Sequence, residues 1–173
     1  MTRYAAFLRG VNVGGVNLAM AKVAAALGDA GFSDVRTILA SGNVVLESRS
    51  KADAVREKAE AALRDRFGYD AWVLVYDVDT VRSIVDGYPF EPEVEGYQSY
   101  VTFVADPAVL NELTALSSDA RADEKIARGA GVLYWQVPKN STLDSTIGKM
   151  MGKKRYKSST TTRNLRTLAK VLR

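Results

Sequence analysis

Histidine and cysteine are both missing from this 173-residue chain, and the two absences close off much chemistry. Without imidazole or thiol there can be no Ser-His-Asp or Cys-His nucleophilic site, and no zinc site of the imidazole or thiolate kind. Acid–base chemistry is left to Asp, Glu, Lys and Tyr. No disulfide framework exists, which fits a reducing compartment. The longest uninterrupted apolar run, residues 71–76, is far too short to span a bilayer. No basic start followed by an apolar stretch and a small-residue cleavage site is present, so a cytoplasmic protein without membrane contact is expected. A carboxylate-held Mg²⁺ or Ca²⁺ stays open in principle, but no Asp/Glu cluster has the spacing of a calcium loop, and no metal or cofactor is expected.

What is there is an uneven charge. The net +4 divides into +1 over residues 1–77, −6 over residues 78–148 and +9 over residues 149–173. The last 25 residues carry nine basic groups and no acidic one. Such a pattern raises the question of anionic partners.

Hydrophobic patterning predicts an α+β chain made of two ferredoxin-like plaits, residues 1–77 and 78–173. In the first, strands are expected at residues 3–9, 35–40, 43–47 and 72–76. A helix bearing Met20, Val23, Leu27 and Ala30 should end at Gly31. Ser41-Gly42 forms a hairpin turn. Ser50 and Asp53 resemble a capping box opening a second helix that ends at Gly68. The order β-α-β-β-α-β is that of the ferredoxin-like plait. In the second half, a helix over residues 78–85 is followed by a Pro- and Glu-rich loop and a strand over 97–105. Asp106-Pro107 supplies an N-cap and N1 proline to the next helix. Strands over 124–128 and 132–137 pair across Gly129-Ala130-Gly131. Ser141 with Asp144 is expected to start another helix, and a last one to run from about Thr162 to the end. This gives a variant plait with an extra C-terminal helix.

The run Arg9-Gly10-Val11-Asn12-Val13-Gly14-Gly15 follows the first strand. Gly10 and Gly15 have the outer spacing of a Walker A loop, but Val16 and Asn17 stand where its lysine and hydroxyl belong, so an ATPase is excluded. The run is not G-x-G-x-x-G and the sheet is not doubly wound and parallel, which argues against a dinucleotide cofactor. Topology suggests a different use. In the plait the first two strands run parallel, so the glycine connection and the Ser41-Gly42-Asn43 turn should share one edge of the sheet. The helix that follows also begins there, and its N–H groups could face an anion beside Arg9. Alternatively the glycines serve positive-φ turns and the asparagines bond their own backbone, the commoner use of such residues.

At the C-terminus, Arg163, Arg166, Lys170 and Arg173 fall within roughly an 80° arc of the expected helix, opposite Leu165, Leu168, Val171 and Leu172. Lys149, Lys153, Lys154, Arg155 and Lys157 lie just upstream, with Tyr156 among them. A phosphate backbone would suit this surface, as would solvation, the helix macrodipole and pairing with the acidic middle block. Glu91, Glu93 and Glu95 read as a solvated acidic loop. Trp72, Trp135, Tyr100 and Tyr134 lie in expected strands, where core packing explains them more simply than base stacking.

Three stretches, "FLRGVNVGG", "ASGNVVLES" and "TTTRNLRTLAKVL", together resemble the bacterial domain-of-unknown-function family 1697 (DUF1697). The resemblance spans essentially the whole chain. It implies a compact α/β protein with plait-like halves and carries no established activity. The family's recurring positions map onto Arg9, Gly10, Asn12, Gly14, Gly15, Ser41, Gly42, Asn43, Thr162, Arg163 and Asn164. The chain departs from the family pattern at Val16, where a lysine often follows the double glycine. It departs again at Leu165, where an aromatic commonly stands, and at Thr142, in place of a lysine between Ser141 and Leu143.

The leading expectation is a non-catalytic binder of an anionic ligand, either a phosphorylated small molecule or a nucleic acid. Its ligand-binding residues would be Arg9, Gly10, Asn12, Gly14, Gly15, Ser41, Gly42 and Asn43, with Arg163 and Asn164. The alternatives are an enzyme acting on a small phosphorylated or carboxylated metabolite through Asp, Glu, Lys or Tyr, and a scaffold or oligomerisation module.

Overall fold

The computed structural model describes residues 1–12 and 16–173. The chain divides into two compact units, Met1–Arg82 with Lys170–Arg173, and Ser83–Ala169.

The first unit holds β1 (Thr2–Leu8), α1 (Met20–Asp29), β2 (Ser33–Ile38), β3 (Asn43–Ser48), α2 (Ala52–Phe67), β4 (Val73–Asp77) and the start of α3 (Val78–Asp86), which follows β4 at once. Its sheet runs β2-β3-β1-β4, and every neighbouring pair is antiparallel. This is the ferredoxin-like plait. The apolar positions of β1 and β3, among them Leu8, Val44 and Leu46, meet Val23 and Leu27 of α1 and Val55 and Leu63 of α2 in one buried cluster. Each such large side chain contributes roughly 1.5–3 kcal/mol on full burial. Gly68 closes α2 in the left-handed conformation, φ 65°, its N–H reaching the Arg64 carbonyl at 2.9 Å. The expected capping box at the other end of α2 is not formed. The helix starts at Ala52 with Lys51 as its N-cap and no side-chain cap. Ser50 is held in the turn leaving β3 instead, its N–H donating to Ser48 Oγ and its carbonyl accepting Tyr4 Oη–H at 2.7 Å. Glu60, buried on α2, accepts Val73 N–H at 2.9 Å and Arg56 Nε–H at 3.1 Å. It thereby ties the start of β4 to the helix.

The second unit contains β5 (Tyr97–Val104), α4 (Pro107–Ala115), β6 (Lys125–Arg128), β7 (Val132–Pro138), β8 (Thr160–Asn164) and the start of α5 (Leu165–Val171). Its sheet order, β6-β7-β5-β8, repeats that of the first when β5 is aligned with β1, and its pairs are again antiparallel. Asp106 caps α4 as its sequence suggests, accepting Ala108 N–H at 2.9 Å ahead of Pro107.

Two expectations for this half are corrected. No α-helix starts at Ser141; the place of the plait's second helix is taken by irregular chain with 3₁₀ turns at Gly148–Met150 and Lys154–Tyr156. Ser145 Oγ donates to the Thr142 carbonyl at 2.7 Å and accepts Gly148 N–H at 3.0 Å, closing a tight turn that a continuing helix would not make. The last helix begins at Leu165, not Thr162. The threonines before it form β8, paired with β5 in the register Thr102↔Thr162, Val101↔Arg163 and Tyr100↔Asn164. Leucine periodicity in α5 masked the β-branched run ahead of it.

Candidate functional site

Because β1 and β2 are both antiparallel to β3, they run parallel, and the end of one meets the turn after the other. Leu8 N–H donates to the Gly42 carbonyl at 2.8 Å and Arg9 N–H to the Trp72 carbonyl at 3.0 Å. Gly42 sits at φ 89°, and a Cβ there would lie 2.8 Å from Leu8 Cβ and 3.2 Å from its carbonyl oxygen. Only glycine fits so close to β1.

Asn12 is the lock of the connection. It adopts the left-handed conformation at φ 58°, which asparagine tolerates better than most residues. Its Oδ1 accepts Leu18 N–H at 2.8 Å, and its Nδ2 donates to the Leu18 carbonyl at 2.9 Å and to the Ala40 carbonyl at 2.7 Å. The last of these joins the connection to the hairpin tip. Backbone bonds Asn12 N–H to Val16 O (2.8 Å) and Val16 N–H to Gly10 O (3.2 Å) close the loop further. Asn43, fully buried, donates from Nδ2 to the Ile38 carbonyl at 2.9 Å and to Ser41 Oγ at 3.0 Å. Gly10, Asn12, Ser41, Gly42 and Asn43 thus come together at one edge as the topology requires, and both asparagines hold backbone there. Gly14 and Gly15 lie outside the described residues. Arg9 is half-buried at this edge, and desolvation draws its guanidinium below its ordinary proton affinity. The following helix, α1, opens on Ala19 with no side-chain cap and no acidic residue in its first turn.

Asn12→Ala should therefore loosen the edge. Loss of these side-chain bonds and alanine's aversion to positive φ together cost about 2 kcal/mol. Urea unfolding followed by Trp72 fluorescence measures the loss, and hydrogen exchange at Leu18 N–H should accelerate.

Arg163 and Asn164 belong to the second unit. Arg163 is buried in β8, where Nη1 donates to Thr161 Oγ1 at 2.7 Å and to the Thr162 carbonyl at 2.9 Å. The basic ridge expected on the last helix therefore loses its first member. Asn164 donates to Gln98 Oε1 at 2.8 Å, and its Oδ1 accepts Arg166 N–H at 2.8 Å, so it starts α5. The acidic middle of the chain meets part of the basic end. Arg166 forms a two-pronged pair with Glu93 at 3.0 and 3.2 Å. Arg155 does so with Glu112, its shortest contact 2.7 Å, and Tyr156 Oη–H donates to the same carboxylate at 2.9 Å. Trp135 is buried, stacks on Tyr100 with ring centroids 4.5 Å apart and donates to Thr102 Oγ1 at 2.9 Å. It is a core residue.

A residue that sequence reasoning placed only in a strand proves central to this unit. Glu124 is buried, with 8% of its surface exposed. It accepts Arg121 N–H at 2.8 Å, Thr146 N–H at 2.9 Å and Thr146 Oγ1–H at 2.6 Å. Its partner Thr146 is 22 positions away, so no local pattern announces the bond. Burial opposes its charge, but the donors from Thr146 and Arg121 prevail and hold its pKa below the ordinary carboxylate range.

The displaced titrations share a direction. Glu93 and Glu112 are lowered, first by hydrogen bonds from Arg166 and Arg155. Tyr69, Tyr88, Tyr134 and Tyr156 are raised by burial, and Tyr76 is pushed up to about 12 by the same cause. All these carboxyl and phenol groups move away from neutrality, opposite to what proton transfer at neutral pH needs. The guanidinium of Arg9 is drawn towards it. Among the described residues no group of three or more Asp or Glu is placed to hold a metal ion, and no helix is long and apolar enough to cross a membrane.

Residues 1–134 match a family described as "Protein of unknown function (DUF1697)". The chain belongs to this family. No curated protein matches it. Among solved structures, the conserved bacterial protein SP0830 from Streptococcus pneumoniae superposes with a TM-score of 0.79 at 21% identity, over 98% of this chain and 96% of the other. At that identity the likeness speaks for the shared fold alone. In this DUF1697 chain the described glycine and asparagine positions of the first edge are occupied with building the edge itself. Arg9 brings a charged side chain to that edge.

Proposed function

We propose that this DUF1697 protein is a non-catalytic binder of a small anionic molecule, a phosphorylated one in the first instance, at the edge formed by the connection after β1 and the β2–β3 turn. The observation that carries the reading is Arg9, a half-buried cation beside a glycine connection. A guanidinium in a partly desolvated place strengthens charge-assisted hydrogen bonds to an anion that reaches it. Support comes from Gly10, exposed and at φ 70°, where backbone can approach a ligand closely. Further support comes from α1, whose start carries neither a cap nor an acid. The side chains of Asn12 and Asn43 would shape the edge and leave recognition to Arg9 and backbone N–H groups.

The test is a titration with inorganic phosphate, a nucleoside monophosphate and a sugar phosphate, followed by amide chemical shifts. Shifts should cluster at Gly10, Asn12 and residues 16–20. Arg9→Ala should weaken binding at least tenfold, or about 1.4 kcal/mol, with unchanged circular dichroism. Binding unaffected by this substitution, or no shift with any of the three anions, would sink the reading.

A further inference from the structure

With Arg155 and Arg166 paired to carboxylates and Arg163 buried, the basic end of the chain resolves into a smaller set. Lys149, Lys153, Lys154 and Lys157 are all exposed, and they lie on the segment that replaces the plait's second helix. That segment is amphipathic. Ile147 and Tyr156 are buried in the core of the second unit, with Met150 and Met151 packed against it. Every lysine between them is turned out.

The segment is also pinned. Thr160 Oγ1–H donates to the Tyr156 carbonyl at 2.8 Å, and Tyr156 Oη–H holds Glu112 at 2.9 Å. Lys153 N–H donates to the Met150 carbonyl and Tyr156 N–H to the Lys153 carbonyl, both at 3.0 Å. In the 3₁₀ turn at Lys154–Tyr156, three residues per turn bring positions 154 and 157 one above the other. Glu112, a carboxylate beside this segment, is already engaged by Arg155 and Tyr156. Four ammonium groups within nine residues are therefore displayed from a fixed backbone.

We infer that this lysine face is a binding surface for double-stranded nucleic acid, contacted through its phosphates. The spread of point charges suits a regular row of phosphates, as lysine is a point-charge phosphate ligand rather than a forked one. The aromatic residue of the segment, Tyr156, is buried, so it offers no platform for unstacked bases. That favours a duplex over a single strand. The one forked group of the segment, Arg155, is engaged by Glu112, so binding should be indifferent to sequence and steeply dependent on salt. The surface lies in the second unit and does not rest on the small-anion reading of the first.

Fluorescence anisotropy with a labelled duplex DNA of mixed sequence tests the inference. At low salt the full chain should bind, and log K should fall against log salt with a slope of about −3 to −4, as expected for four neutralised phosphates. The combined substitution Lys149→Ala, Lys153→Ala, Lys154→Ala and Lys157→Ala removes only exposed groups. It should weaken binding at least tenfold and flatten the salt slope. A control lowers net charge equally in the first unit, through Arg3→Ala, Lys22→Ala, Arg49→Ala and Lys51→Ala, all exposed. It should retain most of the affinity. Absence of binding by the unsubstituted chain, full binding by the lysine variant, or equal loss in the control would each overturn the assignment.

Discussion

Gly148→Ala is expected to destabilise the second unit by more than about 3 kcal/mol, the upper end of ordinary overpacking penalties. A Cβ at position 148 would run into the Thr142 carbonyl oxygen, and would lie 2.6 Å from Ser145 Oγ. Flexible side chains can yield to such a contact; a backbone carbonyl cannot without moving the turn it belongs to. That turn is the one that substitutes for the plait's second helix, and Ser145 bonds both of its arms. Relief would disturb Thr146 and Ile147, which lie between Ser145 and Gly148, and through Ile147 the cluster under the sheet. Trp135 lies in that cluster, so its fluorescence reports the loss. In a Trp72→Phe background, where Trp135 is the sole indole, the urea midpoint should fall by about 2 M, taking a slope of about 1.5 kcal/mol per molar. Gly152→Ala is the matched comparison. A Cβ there meets nothing within 4 Å, and the midpoint should barely move. Equal midpoints for the two variants would refute the steric account.

The same glycine shows where sequence reasoning reaches its limit. The first plait was legible because its signals are local: alternating β-branched runs, a helix closed by Gly68, and a turn at Ser41-Gly42. The convergence of that turn with the end of β1 followed from strand direction alone and needed no knowledge of side-chain contacts. In the second half the local signals conflict with the tertiary arrangement. Ser141 and Asp144 have the spacing of a helix start, but Gly148 and Gly152 follow at positions where a helix would lose about 1 kcal/mol each against alanine. The chain folds there into short turns whose apolar residues still reach the core. Similarly, the leucine period of α5 extends backwards by eye into Thr160–Asn164, although three consecutive threonines favour a strand.

The candidate site divides along the same line. That Asn12 and Asn43 bond backbone was one of the two uses their turn positions allowed, and it can be argued from residue type. That Arg163 is buried depends on its place in β8, and that Lys149, Lys153, Lys154 and Lys157 are exposed depends on the irregular segment before that strand. A helical reading of the tail cannot reveal it. Glu93 and Glu112 lie 73 and 43 positions from the arginines they bind. The charge blocks along the sequence hinted that the two regions would meet, without naming the pairs.

Glu124 carries the second large effect, and its pH dependence separates charge from packing. Glu124→Ala should cost about 3–4 kcal/mol, because the Thr146 and Arg121 donors lose an ionised acceptor in a place shielded from water. Glu124→Gln keeps the volume but offers one carbonyl oxygen and turns an N–H₂ group towards donors, so it too should be less stable at neutral pH. The folded-state pKa of Glu124 is lowered, whereas the unfolded chain titrates near the ordinary value of about 4.3. The native state therefore binds this proton less readily than the unfolded state. The stabilisation is complete above the unfolded pKa and drains away as pH falls through the folded one. Urea midpoints of the unsubstituted protein and Glu124→Gln should differ by a constant amount between about pH 5.5 and 7.5, then converge below about pH 4 as the native carboxylate takes up its proton. Several other carboxylates contribute to acid sensitivity in both proteins, and comparison of the two removes their shared contribution. A gap that stays constant from pH 7 down to 3 would mean that Glu124 holds the turn by shape rather than by charge. The hydrogen bonds to Thr146 would then contribute no more than those of a neutral side chain.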